Sequence, residues 1–252
     1  MTARSVLLSV LLGSDGAWLP TPLLLSTTAL FGIAEGTART ALSRMTAAGE
    51  VESLGEGYRI LASDLLARQG RQLAGRAGAT TEWTGAWRQV IVGVGERRSA
   101  AERATARTTL IAARYGELRE GVWLRPDNLA APARDLAAPP PDLAAPASNL
   151  AEQLGGDALV GRLDELDTDP AQLVARLWDL GAWAATARQL IDLMEPLAVR
   201  LEASDHTALA DGFVVNAAVL RQLVIDPLLP HELVGAGWPG TDLRRRYERF
   251  DR

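Results

Sequence analysis

Residues 35–48 read Glu-Gly-Thr-Ala-Arg-Thr-Ala-Leu-Ser-Arg-Met-Thr-Ala-Ala, and Gly49 follows. At about 3.6 residues per turn, Ala38, Ala41, Leu42, Met45 and Ala48 gather on one side of a helix; Gly36, Arg39, Thr40, Ser43 and Ala47 gather on the other. The first side suits a core. The second is short-chained, polar and armed with Arg39, with Arg44 at its flank, which is the chemistry of a helix that enters a DNA major groove. The spacing predicts a helix over 35–48, ended by Gly49.

On the N-terminal side, Val6, Leu7, Val10 and Leu11 recur at helical spacing and Gly13 stops them, which predicts a first helix over 3–12. Ala17-Trp18-Leu19 predicts a short strand. Thr21 reads as the cap of a second helix, with Pro22 at its first position and an end near Ala29. Leu30-Phe31-Gly32-Ile33 is then a compact apolar turn between the second and third helices. On the C-terminal side, residues 50–54 and 58–61 flank Gly55-Glu56-Gly57, a hairpin signal. Residues 1–62 are therefore expected to be a winged helix-turn-helix DNA-binding domain. Arg39, Thr40 and Ser43 would read base edges, Arg44 would flank them, and Arg59 in the wing would meet phosphate.

Residues 63–81 turn to Ala, Arg, Gln and Gly and are expected to be a partly helical linker. Residues 82–165 predict a strand over 87–94, a helix over 99–115 and a hairpin of 117–119 with 122–125 through Glu120-Gly121. A short helix over 150–154 and a strand over 158–163 complete a β-α-β-β-α-β order, the ferredoxin-like plan. The Ala, Pro, Leu and Asp tract at 127–149 interrupts it and reads as a solvated insertion without fixed structure. Residues 166–252 predict helices over 170–180, 182–193 and 207–225, with Gly181 and Pro196 as breaks, and a closing helix over 242–250. The fold class expected is α+β, with a helical C-terminal domain.

Composition narrows the function. Cysteine is absent from the 252 residues, which excludes disulfides, thiolate catalysis and cysteine metal sites. The two histidines, His206 and His231, have no partner at metal-ligand spacing and read as surface or capping residues, so neither metal nor cofactor is expected. Gly93-Val94-Gly95 lacks the third glycine of a dinucleotide fingerprint and reads as a strand-end turn. The formal net charge of −5 argues against indiscriminate coating of nucleic acid but leaves room for a local basic patch. No apolar run approaches the roughly 18–20 residues of a membrane span, so a cytoplasmic location without membrane association is expected. No set of nucleophile, base and oxyanion donors assembles, so the chain does not read as an enzyme.

Ala3-Arg4-Ser5, Arg39-Thr40-Ala41-Leu42-Ser43-Arg44, Gly121-Val122-Trp123-Leu124-Arg125-Pro126, Asp226-Pro227 with Leu229-Pro230, and Trp238-Pro239-Gly240 occur in this order along the chain. In them the sequence resembles the PaaX-type repressors of phenylacetate catabolism. The resemblance implies a winged-helix head, a Cas2-like ferredoxin-fold middle, a helical C-terminal part, and a homodimer on double-stranded operator DNA. It also implies release by an aryl-acyl-CoA effector such as phenylacetyl-CoA. The sequence departs from that pattern in a wing with Arg59 as its single cation beside Glu56, in Ala34 as the cap of the third helix, and in the Ala/Pro tract.

A wheel of the 99–115 helix places Arg103 and Arg107 on the side of Leu110 and Ile111. Arginine seldom faces a core alone, so the partner is either a structural carboxylate or an anionic ligand. The phosphates of a CoA thioester suit guanidinium groups, and its aryl end suits a recess at Trp123 or Trp183. The rival functions are a Cas2-like metal-dependent nuclease and a non-enzymatic nucleic-acid-binding scaffold. Such a nuclease needs a carboxylate at the end of its first strand, which here reads Ile91-Val92-Gly93-Val94, with Glu96 the nearest and too late.

Overall fold

The structure is a computed structural model that describes residues 2–61, 78, 80–93, 98–129 and 147–251. Most of the expected 63–81 linker, the interior of the 127–149 tract and Glu96 lie outside them. The chain is α+β and forms two compact units, Met1–Gly70 with Pro196–Val214, and Arg71–Glu195 with Val215–Arg252.

The first unit opens with helix α1 (Ala3–Gly13), strand β1 (Trp18–Pro20) and helices α2 (Thr21–Leu30) and α3 (Glu35–Ala47), and then the hairpin β2 (Val51–Leu54) and β3 (Gly57–Ile60). The three strands form one antiparallel sheet in the order β1-β3-β2. This is the arrangement expected of a winged helix. Leu7, Leu11, Leu24, Leu42, Met45 and Ile60 meet in a single core, so each helix contributes the apolar stripe that its spacing supplies. A reciprocal cap between Thr2 and Ser5 starts α1. In contrast to the expected cap at Thr21, α2 begins at that residue, with Pro20 as its cap. Thr21 is held elsewhere: its N–H and its hydroxyl both donate to the Glu56 carbonyl, at 2.9 and 2.8 Å, tying the second helix to the hairpin tip.

The second unit contains β4 (Trp87–Ile91), α4 (Ala100–Ala112), β5 (Gly116–Arg119), β6 (Val122–Pro126), α5 (Ala147–Gln153) and β7 (Leu159–Leu163). The strands pair antiparallel in the order β5-β6-β4-β7, which is the ferredoxin-like topology. Neighbouring residues of a strand face opposite sides, and both sides here are covered. Val90 and Trp123 pack with Ala106, Leu110, Leu150 and Leu154. Trp87 and Leu124 pack with Leu173, Val174, Leu177 and Leu229 on the other face.

Helices α6 (Pro170–Leu177), α7 (Leu180–Glu202), α8 (Leu209–Val224), α9 (His231–Val234) and α10 (Gly240–Phe250) follow. Gly181 and Pro196, expected as breaks, both lie inside α7. The break falls instead at Trp178, whose backbone is extended, and Asp179 then restarts the helix by accepting the Ala182 N–H at 2.9 Å.

Two further expectations change. The ends of the 127–149 tract are structured: the Asn128 side chain is buried and donates to the Leu228 carbonyl at 2.8 Å, and α5 begins at Ala147. An amide with a fixed acceptor orders a segment whose composition alone would not. Likewise one helical stretch, His206–Val224, does reach the length and mean hydropathy of a membrane crossing, against the expectation that no run approaches one. It carries Asp211 and Arg221, and packs one stripe, Val215, Val219 and Leu223, into the protein.

Candidate nucleic-acid interface

Helix α3 buries Ala38, Leu42 and Met45. Arg39, Thr40, Ser43 and Arg44 are all exposed, so the structure brings the three expected reading residues and the flanking Arg44 to the outward side of the helix. Ala48, expected on the packing side, is exposed because the helix has ended at Ala47. Arg39, with 58% of its side chain exposed, is held by Glu35 one turn earlier, Nη2 to Oε1 at 2.8 Å. The Thr40 hydroxyl donates to the Gly36 carbonyl at 2.8 Å, which uses its proton and leaves the oxygen able to accept.

Arg59 lies on the central strand β3 rather than at the hairpin tip. Its register partner across β2 is Glu52, and its Nε–H donates to Glu52 Oε1 at 2.7 Å. The tip itself is Gly55-Glu56, with the Glu56 carbonyl occupied by Thr21. A cation paired in this way must exchange its carboxylate for phosphate before it contributes to DNA affinity.

Sequence reasoning left Arg4 without a role. A groove of about 660 Å³ runs between the start of α1 and the flank of α3, and Thr2, Arg4, Thr40, Arg44 and Glu50 line it. Arg4 holds both oxygens of Glu50, Nε to Oε2 at 2.9 Å and Nη2 to Oε1 at 2.7 Å. Its place beside α3 follows from the packing of α1, which no local pattern announces.

The two arginines of α4 do not face the core. That helix buries Ala106 and Leu110, while Arg103, Arg107 and Ile111 are exposed. Arg103 donates to the Arg98 carbonyl at 2.7 Å. Arg107 pairs with Glu117 of β5 and lies 5.6 Å from the centroid of the Trp123 ring. The expectation turned the helix too far, because Ile111 counted as core; for Arg107 the carboxylate partner is present.

The buried arginine is Arg114, which sequence reasoning missed because the expected helix ran to 115 and included it, whereas α4 ends at Ala112 and Arg114 lies in the turn beyond. It is 3% exposed and adopts φ +67°, and its Nη1 donates to the carbonyls of Val224 and Leu223. Burial pushes its pKa down to about 10, with Asp226 opposing the shift and Arg244 adding to it.

Arg114 lines a cleft of about 350 Å³ with Arg107, Trp123, Trp178, Ile225 and Pro227. A second recess of about 300 Å³ shares Trp178, Asp179, Ile225 and Pro227 with it and adds Trp183. Trp183 stacks on Trp238 with centroids 4.5 Å apart and donates its indole N–H to the Gln222 carbonyl at 3.3 Å. Of the expected effector residues, Arg107 and Trp123 thus share one lobe, Trp183 lines the adjoining one, and Arg103 is not among the lining residues of either.

Three helices over a three-stranded sheet with an exposed arginine-bearing helix, followed by a ferredoxin-like sheet and a helical region, define a multidomain protein of the winged-helix class. Residues 2–63 match the family described as PaaX-like protein, residues 80–141 the PaaX protein central Cas2-like domain, and residues 178–252 the PaaX-like protein C-terminal domain. Among solved structures the chain is similar to the uncharacterized protein Rv0674 from Mycobacterium tuberculosis. The two are 39% identical with a TM-score of 0.70, over 99% of this chain and 94% of that one. No similar sequence is found among curated proteins. The chain belongs to the PaaX family, a family of transcriptional regulators, which at the family level ties it to phenylacetate catabolism.

Proposed function

We propose that the protein is a homodimeric repressor that reads double-stranded operator DNA with α3 and leaves it when an aryl-acyl-CoA such as phenylacetyl-CoA binds. The observation that carries the reading is the face of α3: a helix that buries Ala38, Leu42 and Met45 and turns Arg39, Thr40, Ser43 and Arg44 to solvent. A guanidinium matches the N7 and O6 acceptors of guanine, and the methyl of Thr40 suits the methyl of thymine. Arg44 and, once released from Glu52, Arg59 serve the phosphates. DNA contacts then lie within residues 1–62.

The paired lobes supply the effector site in the same proposal, with Trp123 and Trp183 as apolar walls and Arg107 at the rim. A ligand switches the protein only through a difference in affinity between the DNA-competent and incompetent arrangements, about 5.5 kcal/mol for a near-complete switch. Dimerisation belongs to this account because half-sites about one helical turn apart need two heads at a fixed separation. The role is cytoplasmic and non-catalytic. The test is selection of duplexes from a random library by the full chain, with the selected sequence then challenged by phenylacetyl-CoA. Failure to enrich any sequence would remove the proposal.

A further inference from the structure

Residues 1–62 carry five carboxylates and four arginines, so this head attracts phosphate only where its pairing is uneven. Three of the arginines are held by a carboxylate: Arg39 by Glu35, Arg59 by Glu52 and Arg4 by Glu50. Arg44 is exposed and forms no ion pair among the described residues.

The uneven place is the groove of about 660 Å³ between the start of α1 and the flank of α3, where Arg4 and Arg44 meet a single acidic residue, Glu50. Ala3, Gly36, Ala41 and Ala48 also line it, so small residues leave it open. Thr40 belongs both to this lining and to the exposed side of α3, which puts the groove beside the surface proposed to enter the DNA. Glu50 offers two oxygens to the Nε and Nη2 donors of Arg4, the fork that a phosphodiester also offers. The Arg4 side chain is 53% exposed in that pair. An ion pair so open to water contributes little, and a phosphate can replace its carboxylate at small cost.

We propose that this groove seats a DNA backbone phosphate between Arg44 and an Arg4 that leaves Glu50 for it, on the strand bordering the major groove that α3 enters. The inference rests on the reading of α3 as the DNA-facing helix, and deepens it by adding an anchor on α1. Glu50 holds the place of the phosphate in the free protein. It lowers affinity for duplexes of every sequence alike, because it competes for Arg4 and repels the backbone.

The test is binding of the full-length protein to the library-selected duplex and a scrambled one over a range of salt concentrations. Arg4→Ala is expected to weaken both duplexes by the same several-fold factor and to make the dependence of log affinity on log salt shallower by about one. Glu50→Gln, which keeps Arg4, is expected to strengthen both by a few fold. An Arg4→Ala protein that melts earlier yet keeps the wild-type salt dependence overturns the inference, and leaves Arg4 as a tie between α1 and Glu50. So does a folded Glu50→Gln of wild-type or lower affinity, whether or not Arg4→Ala folds. A wild-type protein without preference between the duplexes, whose salt dependence Arg4→Ala still flattens, would remove the reading by α3 and leave this contact standing. A clear preference with a salt dependence untouched in Arg4→Ala would do the reverse. Absence of salt-dependent binding to either duplex removes both.

Discussion

Glu35 and Arg39 set how much positive charge the exposed face of α3 carries in the proposed contact with DNA. Their pairing is exposed on both sides and is worth about 0.3–0.5 kcal/mol, so guanine can take Arg39 from Glu35 at small cost. Glu35→Ala is therefore expected to strengthen binding to any duplex by a few fold, because it removes a carboxylate from the phosphate field. Arg39→Ala should lose about 1–3 kcal/mol of discrimination. Competition titrations with specific and random duplexes separate the two effects. A different constraint acts at Gly57, where an added Cβ would lie 2.3 Å from the Leu19 carbonyl oxygen and 2.8 Å from the Trp18 ring. Gly57→Ala should destabilise the first unit by about 2–3 kcal/mol, measured by thermal unfolding. That a hairpin turns near this position is legible in Gly55-Glu56-Gly57; that Gly57 opens β3 and pairs with Pro20 of β1 is not, because that partner comes from a strand about forty residues earlier. Glu102 provides a pH readout. It accepts the Ser99 N–H at 2.7 Å, and bonds from the Ser99 hydroxyl first and its backbone second hold the Glu102 carboxyl below its ordinary 4.5. A depressed carboxyl contributes stability above its unfolded value and loses it as pH falls through the folded one. An NMR titration should show the Glu102 carboxyl rising towards 4.5 in Ser99→Ala.

At the scale of elements, periodicity carried most of the fold. The strands of the ferredoxin-like sheet and the three helices of the head follow from alternation and from three- and four-residue spacing, which report burial directly. Helix ends and rotations were harder. Gly181 and Pro196 read as breaks, yet Trp183, Ala187, Leu190, Ile191 and Met194 bury one continuous face of α7 and hold the helix past Gly181, whereas Pro196 lies beyond the last buried residue of the helix. At Gly181 tertiary burial outweighs the local breaker, because the apolar stripe continues past it. Pro196 still lacks an N–H to donate, so Pro196→Ala should raise stability by about 1–3 kcal/mol in denaturant unfolding. An unchanged or lower midpoint would show that the ring's own packing matters more. Helix α4 gives the converse case. Its wheel was legible, but the choice of its buried side turned on Ile111, and the arginine that is buried, Arg114, follows the helix in a left-handed turn where no periodicity applies.

At the scale of the molecule, the exposed polar face of α3 was legible in residues 35–48 because the helix divides its residue types by side. The cleft was legible only in part. Trp123 and Trp183 were visible as candidates, but the lobes they line also need Ile225 and Pro227, which local sequence cannot bring near Trp178. If α3 reads half-sites as proposed, two copies are needed, and the full-length protein should scatter light as a dimer at micromolar concentration without DNA. The proposed recognition of DNA depends on α3. Fluorescence anisotropy of wild-type and Arg39→Ala protein, each with the library-selected duplex and a scrambled one at two salt concentrations, measures it. The expected result is a wild-type preference for the selected duplex, a steep fall in affinity with salt for both duplexes, and a preference largely lost in Arg39→Ala. Equal affinity of the wild-type protein for both duplexes, or a preference untouched in Arg39→Ala, would contradict it.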